Sequence, residues 1–324
     1  MRRSTTISLT PAPQQLARFE ADLAPLAKAD ARIGIAVSGG PGSLALLLLA
    51  AAARPGQVEA ATVDHQLRAG SREEGRFVAG ICERLGVPHK LLPVTVGRGA
   101  SLQAQARAAR YEALGEWAIS RNLQAVATGH HADDQAETLL MRLARGAGLG
   151  GLVGVRHSRP LEAGVALIRP LLEWRRAELA KIVADAGITP IDDPANRDPR
   201  HDRSRFRGML AEAEWADPER LAASARWLAD ADEALEWAAA PLVASRLKAS
   251  AGTIAIDADG LPREMQRRLL LAAFDRLGAP RPRGPELDRA RKALRGGRAA
   301  TLSGLKLDPG PPWTLSPAPP RRGH

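Results

Sequence analysis

Between Ile33 and Ser43 the chain reads Ile-Gly-Ile-Ala-Val-Ser-Gly-Gly-Pro-Gly-Ser, then runs into the apolar stretch Leu44 to Ala53. Apolar alternation at Ile33, Ile35 and Val37 predicts a short buried strand, and the Leu/Ala stretch predicts a buried helix of strong helix formers. A Ser/Gly turn joining the two aims backbone N–H groups and a helix N-terminus at an anion. Its small residues let a pyrophosphate approach the backbone, and Ser38 and Ser43 add hydroxyl donors. The plain alternative is a glycine-rich strand-to-helix turn with no ligand.

The surrounding pattern repeats the same alternation. After a lead-in helix over Pro13 to Lys28, strands are expected at Val58 to Val63, Lys90 to Val96, Ala125 to Thr128 and Val165 to Ile168. Between and after them lie helices from Ser71 (Glu74 completing a capping box) to near Gly86, over Ser101 to Arg121, over Asp133 to Arg145, and over Glu173 to Ala186. This order gives an α/β fold, a doubly wound parallel sheet covered on both faces. Ligands bind beyond the carboxyl ends of such strands. Three polar clusters follow strands, Ser38 to Ser43, Asp64-His65 and Gly129 to Asp134, so they should converge on one edge.

From Pro199 the alternation gives way to helices at Arg203 to Glu214, Pro218 to Ser245, Pro262 to Leu277 and Pro285 to Leu294, with one strand at Thr253 to Ile256. Six prolines from Pro309 to Pro320 argue against a helix or a central strand in the tail. The division expected is an α/β domain over 1–210 and a mostly helical domain over 211–324 with a Pro-rich tail.

Charge and cysteine usage narrow the chemistry. A formal net charge of +10 and a pI near 10.7 suit a polyanionic partner, and suit equally a genome biased toward Arg, Ala, Gly and Pro. The single cysteine, Cys82, excludes an internal disulfide and any Cys-x-x-Cys site, and its helical setting suggests a buried thiol. No apolar run is long enough to span a bilayer, and no apolar signal core follows Arg2 and Arg3. The expectation is a cytoplasmic protein with no membrane partner; a homodimer is one assembly left open.

The Ser38–Ser43 turn resembles the PP-loop, Ser-Gly-Gly-x-Asp-Ser, of the N-type ATP pyrophosphatases, with Gly42 standing where that pattern carries Asp. Further motifs are Asp64-His65-Gln66-Leu67-Arg68, Gln103-Ala104 with Arg107, Arg110 and Tyr111, Gly129-His130-His131-Ala132-Asp133-Asp134-Gln135-Ala136-Glu137-Thr138, and Asp193-Pro194-Ala195-Asn196-Arg197-Asp198. In this order they resemble the tRNA(Ile)-lysidine synthase family over residues 30 to 210, and more loosely through Arg291 to Gly304. The resemblance implies a two-step ligation using ATP and Mg²⁺. O2 of the wobble cytosine in a CAU-anticodon tRNA(Ile) is adenylated with release of pyrophosphate. The ε-amine of free L-lysine then attacks C2 and displaces AMP.

That chemistry distributes roles. Ser38, Gly39, Gly40, Pro41, Gly42 and Ser43 would hold the triphosphate, and Asp64 and His65 the nucleotide. Gln103, Arg107 and Arg110 share a helical face suited to nucleotide or RNA phosphate, the alternative being a solvated basic face. Asp134, Glu137 and His130 would form the catalytic group, the two carboxylates recognising lysine; Asp133 reads in part as a helix cap. Asp193 and Asn196, in a loop beginning at Asp192, and Arg203 and Arg205, with Arg207, would face the RNA. The Mg²⁺ ligands are not assigned by the sequence. Trp174, Trp215, Trp227 and Trp237 are expected in packing.

Two competitors remain. Another PP-loop tRNA-modifying enzyme fits the turn and the charge, although thiolation through a persulfide or a cluster needs more than one cysteine. A catalytically impaired RNA-binding homologue is motivated by Gly42, since glycine offers no carboxylate to the phosphates or a metal.

Overall fold

The computed structural model describes residues 9–66, 71–95, 102–192 and 202–319. By its internal contacts it falls into two compact units, Met1–Arg145 with Gly154–Arg226, and Gly146–Val153 with Trp227–His324.

The first unit is built on a six-stranded sheet. Its elements are α1 (Pro13–Leu23), β1 (Ile33–Ala36), α2 (Pro41–Ala53), β2 (Val58–Asp64), α3 (Ser71–Leu85), β3 (His89–Pro93), α4 (Leu102–Ser120), β4 (Ala125–Thr128) and α5 (Ala132–Ala144). After α6 (Leu149–Leu152), which belongs to the second unit, follow β5 (Ser158–Glu162), β6 (Val165–Ile168), α7 (Arg176–Asp185), α8 (Asp202–Glu212) and the start of α9 (Pro218–Arg246). Strand order is β3-β2-β1-β4-β6-β5. The chain winds outward from β1 through β2 to β3, then returns to β4 on the other flank of β1. The crevice for a ligand therefore opens between the loops after β1 and β4.

The sheet is mixed rather than purely parallel, because β5 pairs antiparallel with β6. Residues Ser158-Arg-Pro-Leu-Glu hide this edge strand, since Pro160 depletes the strand signal and is tolerated only at an edge. Helix α2 starts at Pro41, not Leu44: proline fits the first helical position, where its missing N–H is no loss. Every residue from Ser43 to Ala50 is buried, against α1 and α7 on one side and β1 and β2 on the other. On the opposite face α4 packs Leu114, Trp117 and Ala118 over β2, β4 and β6. Gly34 lets that helix approach, because a Cβ there would lie 2.6 Å from Trp117 Cζ3.

The second unit carries more sheet than a single strand. A five-stranded antiparallel sheet, β7-β8-β11-β10-β9, is formed by β7 (Leu247–Ser250), β8 (Thr253–Ile256), β9 (Ala300–Leu302), β10 (Leu305–Asp308) and β11 (Trp313–Pro317). Helices α10 (Arg263–Arg276) and α11 (Gly284–Arg295) cover it, joining Leu269, Leu270, Phe274, Leu287 and Leu294 to Leu307, Trp313 and Leu315 in one core. The proline-rich tail thus supplies a central strand, contrary to expectation. Pro311 and Pro312 precede β11, and Pro317 is its last residue, in register with Leu305, so no proline falls inside the strand.

Tryptophan packing is also corrected. Trp174 is in the core, with its Nε1 donating to Asp22 Oδ2 at 2.8 Å, whereas Trp215, Trp227 and Trp237 are 78, 67 and 81% exposed. Helix α9 turns its small side chains inward instead: Ala222, Ala225 and Ala239 are buried, together with Asp232.

Candidate active site

The turn after β1 is shaped by glycine and braced by serine. Gly39 takes φ of +82°, and a Cβ there would lie 2.3 Å from Ile191 Cδ1, so this left-handed position needs glycine twice over. Its carbonyl accepts from Ile191 N at 2.9 Å. Ser43 Oγ accepts from Ser38 N at 3.1 Å and donates to Gly40 O at 3.0 Å. The Ser43 proton is therefore committed to the turn. The amides of Gly42 and Ser43 have no acceptor among the described residues, and they open the N-terminus of a thirteen-residue helix. That combination of free donors and helix dipole is an anion site.

Gly42 and Gly129 bring the two loops of the crevice together. A Cβ on Gly42 would stand 2.7 Å from Gly129 O and 3.4 Å from His131 Cδ2; one on Gly129 would stand 2.6 Å from the Gly42 carbonyl. The contact is backbone against backbone. An aspartate at residue 42 requires one loop to withdraw.

Across the crevice, α5 begins with a cap of unusual composition. His131 is the N-cap: its Nδ1 accepts from Asp134 N at 3.4 Å, while Asp134 Oδ2 accepts from His131 N at 3.1 Å. Asp133, read from the sequence as part of a cap, does not cap its own helix. It accepts from Arg176 N at 2.8 Å and so satisfies the first amide of α7.

Behind Asp134 lies a carboxylate held by three guanidinium groups. Glu137, 1% exposed, accepts from Arg176 Nη2, Arg203 Nε and Arg207 Nε, each at 2.8 Å. Arg203 Nη2 also reaches Asp134 Oδ1 at 2.7 Å. Burial pushes both carboxyls up, but hydrogen bonds from Arg207 and Arg203 at Glu137, and the His131 and Arg203 charges at Asp134, outweigh it and hold both below their ordinary values. Arg203 is raised despite its burial, chiefly by Asp134 and Glu137. The group stays ionised through neutral pH.

Arg203, Arg205 and Arg207, expected to face the RNA together, lie on α8. Helix geometry separates them: Arg203 and Arg207, four apart, both reach Glu137, while Arg205 points away, exposed, toward Asp202.

His130 is the other surprise. Its Nδ1 lies 3.0 Å from Thr128 Oγ1. Burial, and then the positive charges of Arg169, Arg110 and Arg203 working against Asp134, bring its pKa down to about 3. It is a neutral imidazole at pH 7. His65 is likewise lowered, by burial and by Arg110, and its Nδ1 is buried without a partner among the described residues.

These groups line one cavity of about 710 Å³, a size that takes a nucleotide. Its wall holds Ser38, Gly40, Pro41, Gly42, Ser43, His65, Arg110, His130, Asp134 and Arg203 of the residues singled out from sequence. Gly39, Asp64, Arg107, Glu137 and Arg205 do not reach the wall. Asp64 is buried and holds the following turn, accepting from Gln66 N at 2.8 Å. Gln103 lies at the start of α4 and its side chain is outside the described residues, as are Asp193 and Asn196 entirely. The wall also includes Thr62, Glu74, Arg176 and Asp192. Arg176 carries a signal in the sequence: Arg175-Arg176 put two cations at a helix N-terminus, where the dipole disfavours them unless carboxylates are waiting.

Comparison with known proteins agrees with this geometry. A family described as a PP-loop domain matches residues 10–214. The tRNA(Ile)-lysidine synthase of Novosphingobium aromaticivorans is 47% identical over 308 residues, 94% of each chain. That of Zymomonas mobilis is 43% identical over 296 residues, 90% of each. Among solved structures, the U34-tRNA thiolase NcsA of Methanococcus maripaludis is similar with a TM-score of 0.54 at 19% identity, covering 69% of this chain and 79% of that one, a likeness of fold alone. The chain belongs to the tRNA(Ile)-lysidine synthase family, and its PP-loop domain is the ATP-binding part.

Proposed function

We propose that this protein is a cytoplasmic ligase that joins L-lysine to C2 of the wobble cytidine in a CAU-anticodon tRNA(Ile), through an adenylated cytosine. The observation that carries the reading is the meeting, in one cavity, of the α2 amides with Arg176, Arg203 and Asp134. Adenylation at the α-phosphate builds negative charge on the transferring and leaving groups. Fixed donors and guanidinium groups lower its barrier most when they are held in place beforehand. Glu137 does that holding, tying three arginines from α7 and α8 to α5.

Lysine arrives as an ammonium and must react as an amine. Asp134, kept ionised, suits the cation, and it retains acceptor capacity beyond its bonds to Arg203 and His131. A neutral His130 can accept a hydrogen bond from the ε-nitrogen but, at about 3, does not store its proton at pH 7. Attack on C2 forms the C–N bond, breaks the C–O bond to AMP, and releases a proton from nitrogen.

Magnesium commonly sits between substrate phosphates and one or two carboxylates. Asp192 and Asp134 on the cavity wall fit that demand, whereas Gly42 contributes nothing to it. When bound, the ion would neutralise phosphate charge. The second unit is proposed as an accessory tRNA-binding part.

The test is incubation with ATP, Mg²⁺, radiolabelled lysine and the CAU transcript. Label in the RNA with equimolar AMP is expected; tRNA binding without AMP release would favour the impaired binder that Gly42 suggests.

A further inference from the structure

Beside the cavity, four arginines gather round one tyrosine. Arg159, Arg107 and Arg110 stand over the Tyr111 ring at 4.7, 5.0 and 5.0 Å from its centroid. Arg110 Nη2 donates to Tyr111 Oη at 3.2 Å, and Arg169 also hydrogen-bonds the hydroxyl. Arg107, Arg110 and Tyr111 come from the first turns of α4, Arg159 from β5, and Arg169 from the residue after β6. All sit toward the edge where the parallel strands end.

The cluster differs in kind from the one at Glu137. None of the four guanidinium groups has a carboxylate partner among the described residues. Arg169 is 2% exposed, gives Nη1 to the Arg156 carbonyl at 2.6 Å, and leaves Nε buried with no partner. The Nε of Arg110 is buried and, among the described residues, unpartnered as well. Like charges packed this closely, one of them fully desolvated, repel one another, and a ring face offsets only part of that. What restores balance is an anion.

We propose that Arg107, Arg110, Arg159 and Arg169, held together by Tyr111, form a binding site for backbone phosphate of the tRNA substrate at the rim of the cavity. The proposal rests on the lysidine-forming reading for the identity of the RNA. ATP phosphates are provided for elsewhere, at the α2 amides beyond β4 and β1. A lysine carboxylate needs one bidentate guanidinium, not four charges graded from exposed Arg107 to buried Arg169. A phosphodiester chain matches both the number and the grading. Tyr111 and Arg169 are positioning residues here; Arg159, on the strand the sequence concealed, is a direct contact.

The experiment measures binding of the 324-residue chain to the CAU transcript as a function of KCl, alongside KM values for tRNA, ATP and lysine. Arg159→Gln should weaken RNA binding about tenfold at low salt and reduce the slope of log K against log salt by about one. KM for ATP and for lysine should stay within about twofold of wild type. Arg159→Lys should restore the salt slope, separating lost charge from disturbed folding. A raised KM for lysine or for ATP with an unchanged RNA salt slope would overturn the site. Binding requires no turnover, so a wild type that binds RNA but never transfers lysine would sink the proposed function and leave this site standing.

Discussion

Gly42 sets up a prediction in which sterics and catalysis pull in opposite directions. Adding a Cβ there puts it 2.7 Å from Gly129 O, and ordinary contact begins about 0.7 Å farther out. The atom that must yield is backbone, in a turn tied to Thr128 and His130, and α2 behind Gly42 is buried along its length. Overpacking of this kind costs about 1–3 kcal/mol. For a unit of this size that lowers the melting temperature by about 2–12 °C. Gly42→Ala and Gly42→Asp share the Cβ, so they should melt alike, both below wild type. Their difference in lysine incorporation then isolates the carboxylate: the aspartate variant should exceed the alanine variant by at least about tenfold, since one preorganised electrostatic group is worth about 10²–10³ in rate. Calorimetry and the radiolabelled transfer assay measure the two effects separately. An alanine variant that melts with wild type would refute the steric argument, and equal turnover by both variants would refute the electrostatic one.

Other substitutions test the rest of the site. Glu137→Ala leaves Arg176, Arg203 and Arg207 without their shared acceptor; with each guanidinium about a third exposed, the loss should be about 2–3 kcal/mol by urea unfolding, and more than that of Glu137→Gln. Because the folded Glu137 carboxyl lies below its ordinary value of 4.5, its stabilisation is complete above that pH and lost as pH falls through the depressed value; thermal melts of Glu137→Gln should be flatter than wild type in acid. Burial raises the Tyr111 phenol, but the Arg110 and Arg107 charges, the Arg110 bond and Arg169 bring it down to about 8. As pH rises through that value a phenolate faces Arg107 and Arg110 from α4, Arg159 from β5 and Arg169 after β6, so RNA affinity should fall several-fold in wild type and stay level in Tyr111→Phe. Cys82 is buried with its thiol pushed up to about 12, and should resist alkylation at pH 8 until the protein unfolds; rapid labelling of the native chain would contradict the packing of α3.

What the sequence disclosed follows from how locally each feature is encoded. The strand–turn–helix at Ile33 to Ala53 combines a period-2 strand, glycine turn chemistry and an all-apolar helix, and each is set by near neighbours. The placing of Asp134 near the turn followed from the rule that parallel strands end together. Other features depend on partners far along the chain. Nothing near Glu137 announces that it receives Arg203 and Arg207 from α8 and Arg176 from α7. Edge strand β5 has no hydrophobic period because only alternate residues are partly covered. The central β11 is masked by prolines that precede it or end it rather than interrupt it. Trp227 and Trp237 escape the usual inward setting of large apolar side chains because α9 packs through alanine.

Helix α2 has a consequence for how nucleotide is received. Since Ser43 to Ala50 are buried without a break, the amides that face the phosphates move only when the core around them moves. The hydrogen-bonded amides of α2 behind them, from Leu44 to Ala50, should therefore exchange with global unfolding rather than local fraying. The order these donors need is thus already present when ATP arrives, so the entropy of arranging them was surrendered at folding. On the proposed reading the nucleotide meets a receptor that is fixed on its phosphate side, with the α7 and α8 arginines held by Glu137 as firmly as the amides are held by the core.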